Sequence, residues 1–281
     1  MSKTIIMADS TCDLSEKLIK ENDIKIFPLY VVFGDDAYKD GVEIDPGKLY
    51  KMVEKRNELP KTSAASVGDL VEFFKRYIEE GHNIIFIAVG SGMSSTYNNA
   101  LLASKEFPEG RIEVIDGQNL STGTGLLVLK AAKYAREGWP ISEVAEKVRK
   151  LVPNVRSKFT VESLDYLHKG GRCSGTTKLI GNLFRIKPVI EVKDNKLGVL
   201  AKPIGKKRAL KFMIDDILEN KEHIHTDCIM VTHTFADGDA KDIKKALKKE
   251  LPNVRIEETE AGCVISSHCG KGTIGILYIV K

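Results

Sequence analysis

Three short polar segments hold the side chains best suited to chemistry: Thr62-Ser63, Ser94-Ser95-Thr96 and Ser266-Ser267-His268. They lie far apart along the chain, each beside an apolar element. Hydroxyls and an imidazole serve two kinds of chemistry. They donate hydrogen bonds to an anion, or one hydroxyl attacks as a nucleophile with the help of a base and an orienting acid. For the second, His268 offers a base, but no orienting acid is identifiable. Gly90-Ser91-Gly92 lacks the G-x-S-x-G spacing of a nucleophile elbow, and no G-x-x-x-x-G-K-S/T phosphate loop is present. His82, His223, His225 and His233 stand at element ends or in polar stretches and are expected to face solvent. His168 precedes Gly170-Gly171 and reads as a helix-end residue. An esterase or phosphotransferase using Ser94 and His268 is the enzymatic alternative.

The Ser94 segment has the clearest structural setting. Asn83 to Val89 is a nearly continuous apolar run, as in a parallel strand buried on both faces. Gly90 and Gly92 are expected to let the chain turn sharply out of the sheet. Asn98 to Ala103 reads as helix, which puts Ser94 or Ser95 where an N-cap would sit. Free backbone N–H groups and small hydroxyls then meet at a helix start, a ready anion site. Open α/β sheets take their ligands outside the carboxyl ends of the strands, where this loop lies. Position alone supports a helix cap and a ligand contact equally.

Composition narrows the class. The chain has 281 residues, 42% hydrophobic and 29% charged, which suggests two domains with sizeable cores. A formal net charge of +4 is too small to argue for nucleic acid. No apolar run approaches the ~20 residues of a membrane span. The N-terminus reads as a first strand rather than a signal peptide. The five cysteines are scattered without a C-x-x-C, which predicts a reduced, cytoplasmic protein with free thiols. Cys263 and Cys269 flank what reads as a glycine-bounded loop. No His/Cys pair has metal-ligand spacing, so no metal is expected.

The elements alternate. Thr4 to Ala8 is a strand, a helix starts at Ser15, and Ile24 to Phe33 is extended with Pro28 inside it. Asp45-Pro46 starts a helix to about Arg56. Pro60 to Ser66 reads as a loop, and Val67 opens a helix with Leu70, Val71, Phe74 and Ile78 at helical spacing. Arg111 to Asp116 is a strand, followed by helices ending near Gly138 and Leu151. This is a parallel α/β pattern. It changes near Pro153. Strand Arg156 to Val161, a short helix at Leu164 to Lys169, a helix from Thr176 to Leu183, and a hairpin about Asp194-Asn195 follow. Later strands centre on Asp227 to His233, Val254 to Glu258 and Thr273 to Val280. Adjacent hairpin and crossover strands imply a mixed sheet.

Read jointly and in order, several pieces are specific. They are Ala8-Asp9-Ser10-Thr11, Thr62-Ser63 with Ser66, Ser91-Gly92-Met93-Ser94-Ser95-Thr96-Tyr97, Leu164 through Arg172, Ile186-Lys187-Pro188, and His268 before Gly270 and Gly272. With them the sequence resembles the DegV family of fatty-acid-binding proteins over essentially its whole length. The resemblance implies an α/β fold of two domains. Residues 1–153 would form an N-terminal domain with a three-layer parallel sheet and the carboxylate-binding loops. Residues 154–281 would form a C-terminal domain with a mixed sheet closing a lipid tunnel. It implies a carrier rather than a catalyst, with no cofactor. One long-chain fatty acid would lie between the domains, its carboxylate held at Thr62, Ser63, Ser94, Ser95 and His268. A partner fatty acid kinase would phosphorylate that carboxylate, feeding phospholipid synthesis. Candidate tunnel residues are Met93, Leu179, Ile180, Leu183 and Ile265. The family usually has proline where this chain has Ala64-Ala65, and proline where it has Lys271.

Arg172 and the run Lys202, Lys206, Lys207 and Arg208 make a basic feature. It reads as a solvated face, or as a docking surface for the kinase or an anionic membrane surface through Arg172, Lys202 and Arg208. Arg172 follows two glycines, so its guanidinium is alternatively a tie within its own loop.

Overall fold

The computed structural model describes residues 3–173, 185–225 and 227–281. The apolar runs Thr4–Asp9 (β1) and Asn83–Ala88 (β6) lie side by side, parallel, at the centre of a four-stranded sheet. Lys25–Phe27 (β2) and Ile112–Asp116 (β7) flank them in the order β2-β1-β6-β7, all pairs parallel. Val67–Glu79 (α3) and Thr96–Ser104 (α4) pack on one face, and Ser121–Arg136 (α5) and Ile141–Leu151 (α6) on the other. Apolar side chains therefore line both faces of β1 and β6, as their near-continuous hydrophobicity requires. The short helix Glu16–Glu21 (α1) adds Leu18 to the α5 side.

The extended stretch around Pro28 is two strands in two sheets. Tyr30–Phe33 (β3) leaves the parallel sheet after β2 and pairs with Asp36–Lys39 (β4) and Lys61–Ser63 (β5) in a small antiparallel sheet. Pro28, which lacks an N–H, stands at the break. Pro46–Arg56 (α2) begins as expected, with the Asp45 carboxylate accepting the Lys48 N–H at 2.8 Å and Pro46 in the first turn.

The second large sheet has six strands in the order β10-β9-β8-β13-β11-β12 and is mixed. Its members are Val155–Thr160 (β8), Val189–Lys193 (β9), Lys196–Ala201 (β10), Ile229–His233 (β11), Ile256–Glu260 (β12) and Ile274–Ile279 (β13). Asp165–Gly170 (α7), Lys206–Glu219 (α8), Asp237–Glu250 (α9) and Cys263–Cys269 (α10) complete the described α-helices. The β9–β10 hairpin turns at Asp194 and Asn195, both with positive φ. Such a turn favours Asn and Asp.

Helix α5 joins the two large sheets. It packs on β1 and β6 and also on β8, β11 and β13. One cluster runs from Ile6 and Ile85 through Leu127, Val128 and Ala131 to Met230, Leu277 and Ile279. A helix between two sheets is buried nearly all round, and Ser121 through Val128 are all buried.

Three expectations are corrected. His233 lies on β11 and is 5% exposed, not solvated, because that strand is interior to its sheet. Thr62 and Ser63 belong to strand β5, paired with Val31 and Tyr30, not to a loop. Cys263 and Cys269 are the ends of helix α10 rather than the flanks of a loop, and His268 between them is helical. The helix expected over 176–183, and with it Leu179, Ile180 and Leu183, lies outside the described residues.

Candidate functional site

A cavity of about 480 Å³ opens where β5, the loop after β6, the start of α5, β10 and α10 converge. That volume falls within the roughly 300–1,000 Å³ usual for small-molecule sites. The three polar segments meet here in part. Thr62, Ser63, Ser94, Ser95 and His268 all line the cavity, as do Met93 and Ile265. Val89, Leu120, Leu197 and Val264 make further apolar wall. Beyond Leu120, Ile265 and Cys269 lies a smaller apolar void of about 30 Å³, bounded on its far side by Phe159 and Leu277. Ser266 and Ser267 are not in the cavity. The Ser266 hydroxyl donates to Thr234 Oγ1 at 3.1 Å, and that of Ser267 to the Cys263 carbonyl at 2.7 Å, so both serve α10 and its packing.

Each polar side chain is held by its element. Pairing of Val31 with Thr62 fixes β5, and Thr62 Oγ1 lies 2.8 Å from His268 Nε2. Ser94 Oγ accepts the Thr96 N–H at 3.2 Å and lies 3.0 Å from Thr96 Oγ1. Thr96 Oγ1 in turn accepts the Ala65 N–H at 3.4 Å, and Asn99 Nδ2 donates to the Ala65 carbonyl at 2.7 Å. The Thr62 and Ser94 segments are thereby tied side by side. Ser95 is the N-cap but makes no side-chain capping bond; Ser94, one residue earlier, accepts the Thr96 N–H instead, and both line the cavity.

His268 is uncharged at neutral pH. Burial, reinforced by the positive charge of Arg172, pushes its pKa down to about 4. Its buried Nδ1 has no hydrogen-bond partner among the described residues and faces Gly170, where a Cβ would stand 2.4 Å from that nitrogen. A serine triad needs a carboxylate at this nitrogen and the nucleophile at the other. Here Nε2 meets Thr62 rather than Ser94.

Arg172 lines the cavity mouth and is tied internally, donating through Nη1 to the Gly170 carbonyl at 2.7 Å and through Nε to the Met93 carbonyl at 3.5 Å. Lys202 and Arg208 are exposed and outside the cavity lining. Lys206 is engaged with Asp239 at 2.7 Å and with the Gly272 carbonyl at 3.0 Å. Lys271 sits over the Phe235 ring, 5.1 Å from its centroid.

Sequence reasoning missed three buried carboxylates beneath the site. Asp9 accepts the Val89 N–H at 2.8 Å, Asp13 the Gly262 N–H at 2.8 Å, and Asp40 the Cys263 N–H at 2.7 Å. Asp13 also accepts from the Ser121 hydroxyl and Asp40 from that of Ser10. Burial raises the pKa of all three, and these hydrogen bonds oppose the rise. Asp13 and Asp40 thus hold the start of α10, the helix carrying His268. The only signal in the sequence was an acid directly after strand one. No group of side chains suited to a metal ion occurs among the described residues. No helix there is long and apolar enough to cross a membrane.

Comparison with known proteins agrees with this architecture. A family model described as "Uncharacterised protein, DegV family" matches residues 3–281. The chain belongs to the DegV family. A DegV domain-containing protein of Caldanaerobacter subterraneus is 34% identical over 281 residues, covering 100% of both chains. The structure of a DegV family protein from Thermus thermophilus, described by its fatty acid binding, superposes with a TM-score of 0.92 at 28% identity, covering 99% of this chain and 100% of that one. A stearic-acid-binding protein from Eubacterium ventriosum superposes with a TM-score of 0.85 at 28% identity, covering 100% of this chain and 99% of that one. The parallel sheet, the mixed sheet and their α/β layering are therefore the DegV fold.

Proposed function

We propose that this DegV protein binds one long-chain fatty acid in the cavity between its two halves, residues 1–153 and 154–281, and presents the carboxylate to a partner fatty acid kinase. The observation that carries this reading is the polarity of the cavity. Thr62, Ser63, Ser94, Ser95 and a neutral His268 line the cavity together with Thr11, Ser66, Asn99 and, at the mouth, Arg172, while Val89, Met93, Leu120, Leu197, Val264 and Ile265 give it apolar wall. A carboxylate accepts several hydrogen bonds, and such bonds to a charged group are the strong ones. With the imidazole proton on Nε2, His268 donates to Thr62 Oγ1, which frees the Thr62 hydroxyl proton for the ligand. Among the described residues the head group then has hydroxyl donors and the exposed Arg172 at the mouth but no buried cation against it, which leaves an oxygen reactive. Burial of an aliphatic tail gains roughly 0.8 kcal/mol per CH₂, so the tail supplies most of the affinity. Relatives of the same fold are described as binding fatty acids, stearic acid among them.

Arg172 offers a cation at the mouth, and Lys202 and Arg208 are exposed cations of the C-terminal half, suited to an acidic kinase surface or to anionic headgroups at a membrane. Native mass spectrometry of the freshly purified protein tests the reading. The expected result is one bound species per chain with the mass of a long-chain fatty acid, lost on delipidation and regained on adding palmitate. Failure to take up palmitate overturns it.

A further inference from the structure

Gly90 and Gly92 serve a purpose other than a sharp turn. Neither has a positive φ. Both are overlain by the tip of the β9–β10 hairpin from the C-terminal half. A Cβ on Gly92 would stand 2.0 Å from the Asn195 carbonyl oxygen, and one on Gly90 would stand 2.4 Å from Asn195 Oδ1. The hairpin tip therefore rests directly on the backbone of the ligand loop.

The contact is also polar. Asn195 Nδ2 donates to Ser91 Oγ at 2.8 Å and reaches Asp116 Oδ2 at 3.3 Å. The Ser91 hydroxyl donates to Asp116 Oδ2 at 2.5 Å, and the Ser91 N–H to Asp116 Oδ1 at 2.9 Å. Ser91 is thus held from the end of β7 and from across the chain at once. Asn195 Oδ1 is buried with no hydrogen-bond partner among the described residues, where the side chain is held by its donor end. The same turn then delivers Ser94: the Gly90 carbonyl accepts from the Met93 N–H at 2.9 Å and the Ser94 N–H at 3.2 Å. Pinning Ser91 fixes a hydrogen-bonded turn whose last residue carries the cavity hydroxyl.

We propose that Asn195, with Asp116, is a positioning residue for the carboxylate site, holding Ser94 in place through Ser91. This rests on the fatty-acid reading above and adds to it a specific dependence. The hairpin tip sets head-group recognition in the N-terminal half, without touching the head group.

The test measures discrimination between hexadecanoic acid and hexadecan-1-ol, each displacing cis-parinaric acid from the full chain. The tails match, so their ratio of affinities reports the head group. Asn195→Gly removes the side chain while tolerating the positive φ that would strain alanine. The ratio should fall by roughly 10-fold or more in Asn195→Gly, the scale of one lost hydrogen bond to a charged group. Gly92→Ala, which displaces the tip without altering Asn195, should lower it likewise. In a Ser94→Ala background, Asn195→Gly should have no further effect, because the two act on one interaction. An unchanged ratio, equal losses for acid and alcohol, or additive losses in the double variant would each overturn the proposal. A wild-type protein that binds neither ligand sinks the fatty-acid reading instead. In that case hydrogen exchange at the Ser91 to Ser94 amides of unliganded protein still tests the clasp, which predicts faster exchange in Asn195→Gly and is refuted by unchanged exchange.

Discussion

Thr62 Oγ1 and His268 Nε2, separated by 206 positions in the chain, lie 2.8 Å apart across the wall of one cavity. Thr62 comes from a strand of the small antiparallel sheet, and His268 from the helix that follows β12. Their meeting requires the two halves of the chain to be in register. That register is set below the site, where Asp13 and Asp40 grip the start of α10.

The hydroxyls should be worth a measurable share of affinity. Replacing Thr62 and Ser94 together by alanine should weaken fatty-acid binding by at least roughly 1.5–3 kcal/mol, the range for one hydrogen bond to a charged group. Fluorescent displacement measures the affinity, and circular dichroism should show the fold retained. An affinity equal to wild type would remove both residues from the head-group site.

Asp40 should matter for stability more than its position in the sequence suggests. It accepts from the Cys263 N–H and the Ser10 hydroxyl, so Asp40→Ala leaves buried donors without partners and should cost roughly 1–3 kcal/mol. Asp40→Asn keeps one carbonyl oxygen for the Cys263 N–H and should recover part of the loss. Urea unfolding of the three proteins measures both effects. Equal stability of Asp40→Ala and wild type would refute the grip on α10.

The titration of His268 gives a prediction with a definite sign. Its folded pKa is near 4 against an ordinary 6.5, so between those values the unfolded chain binds more protons. Stability from this residue is complete above about pH 6.5 and is lost as pH falls towards 4. Asp9, Asp13 and Asp40 have raised values and contribute in the opposite direction, fading as pH rises through their folded pKa. Comparison with His268→Gln isolates the imidazole. Wild type should lose stability relative to this variant between pH 6.5 and 4.5, measured by urea unfolding at each pH. Parallel curves would show that the histidine is not buried in its neutral form.

The parts of this site legible in the sequence were those carried by local pattern. The apolar run before Gly90 dictates a central parallel strand, and a strand end followed by small hydroxyls marks the loop whose Ser94 and Ser95 line the cavity. Asp45-Pro46 announced its helix by cap chemistry alone. What pattern could not show was contact between distant segments. Nothing local marks Asp13 and Asp40 as partners of Gly262 and Cys263, because a buried acid differs from a solvated one only in its surroundings. Thr62 and Ser63 look like a loop because strand β5 is short and half exposed, and only pairing with β3 makes it a strand. Gly90 and Gly92 looked like turn residues, yet the chain needs them for the close approach of Asn195.

The role of His268 separates binding from transfer. A neutral imidazole donating to Thr62 orients that hydroxyl, and through it the carboxylate. The acyl tail contributes most of the binding free energy, so His268→Ala should still take up palmitate with an affinity close to wild type. On the proposed reading, phosphorylation by a partner kinase would be more demanding, since the attacking carboxylate oxygen must be held in line with the phosphoryl donor, and small misplacements of a reacting group are costly, about 100-fold for a displacement of about 1 Å. Acyl-phosphate formation by His268→Ala with kinase and ATP should therefore fall far more than binding does. His268→Gln, which retains a donor for Thr62, should recover part of the rate. A His268→Ala protein that is phosphorylated like wild type would confine the head-group site to the hydroxyls of Thr62 and Ser94 and leave the imidazole a packing role against Gly170.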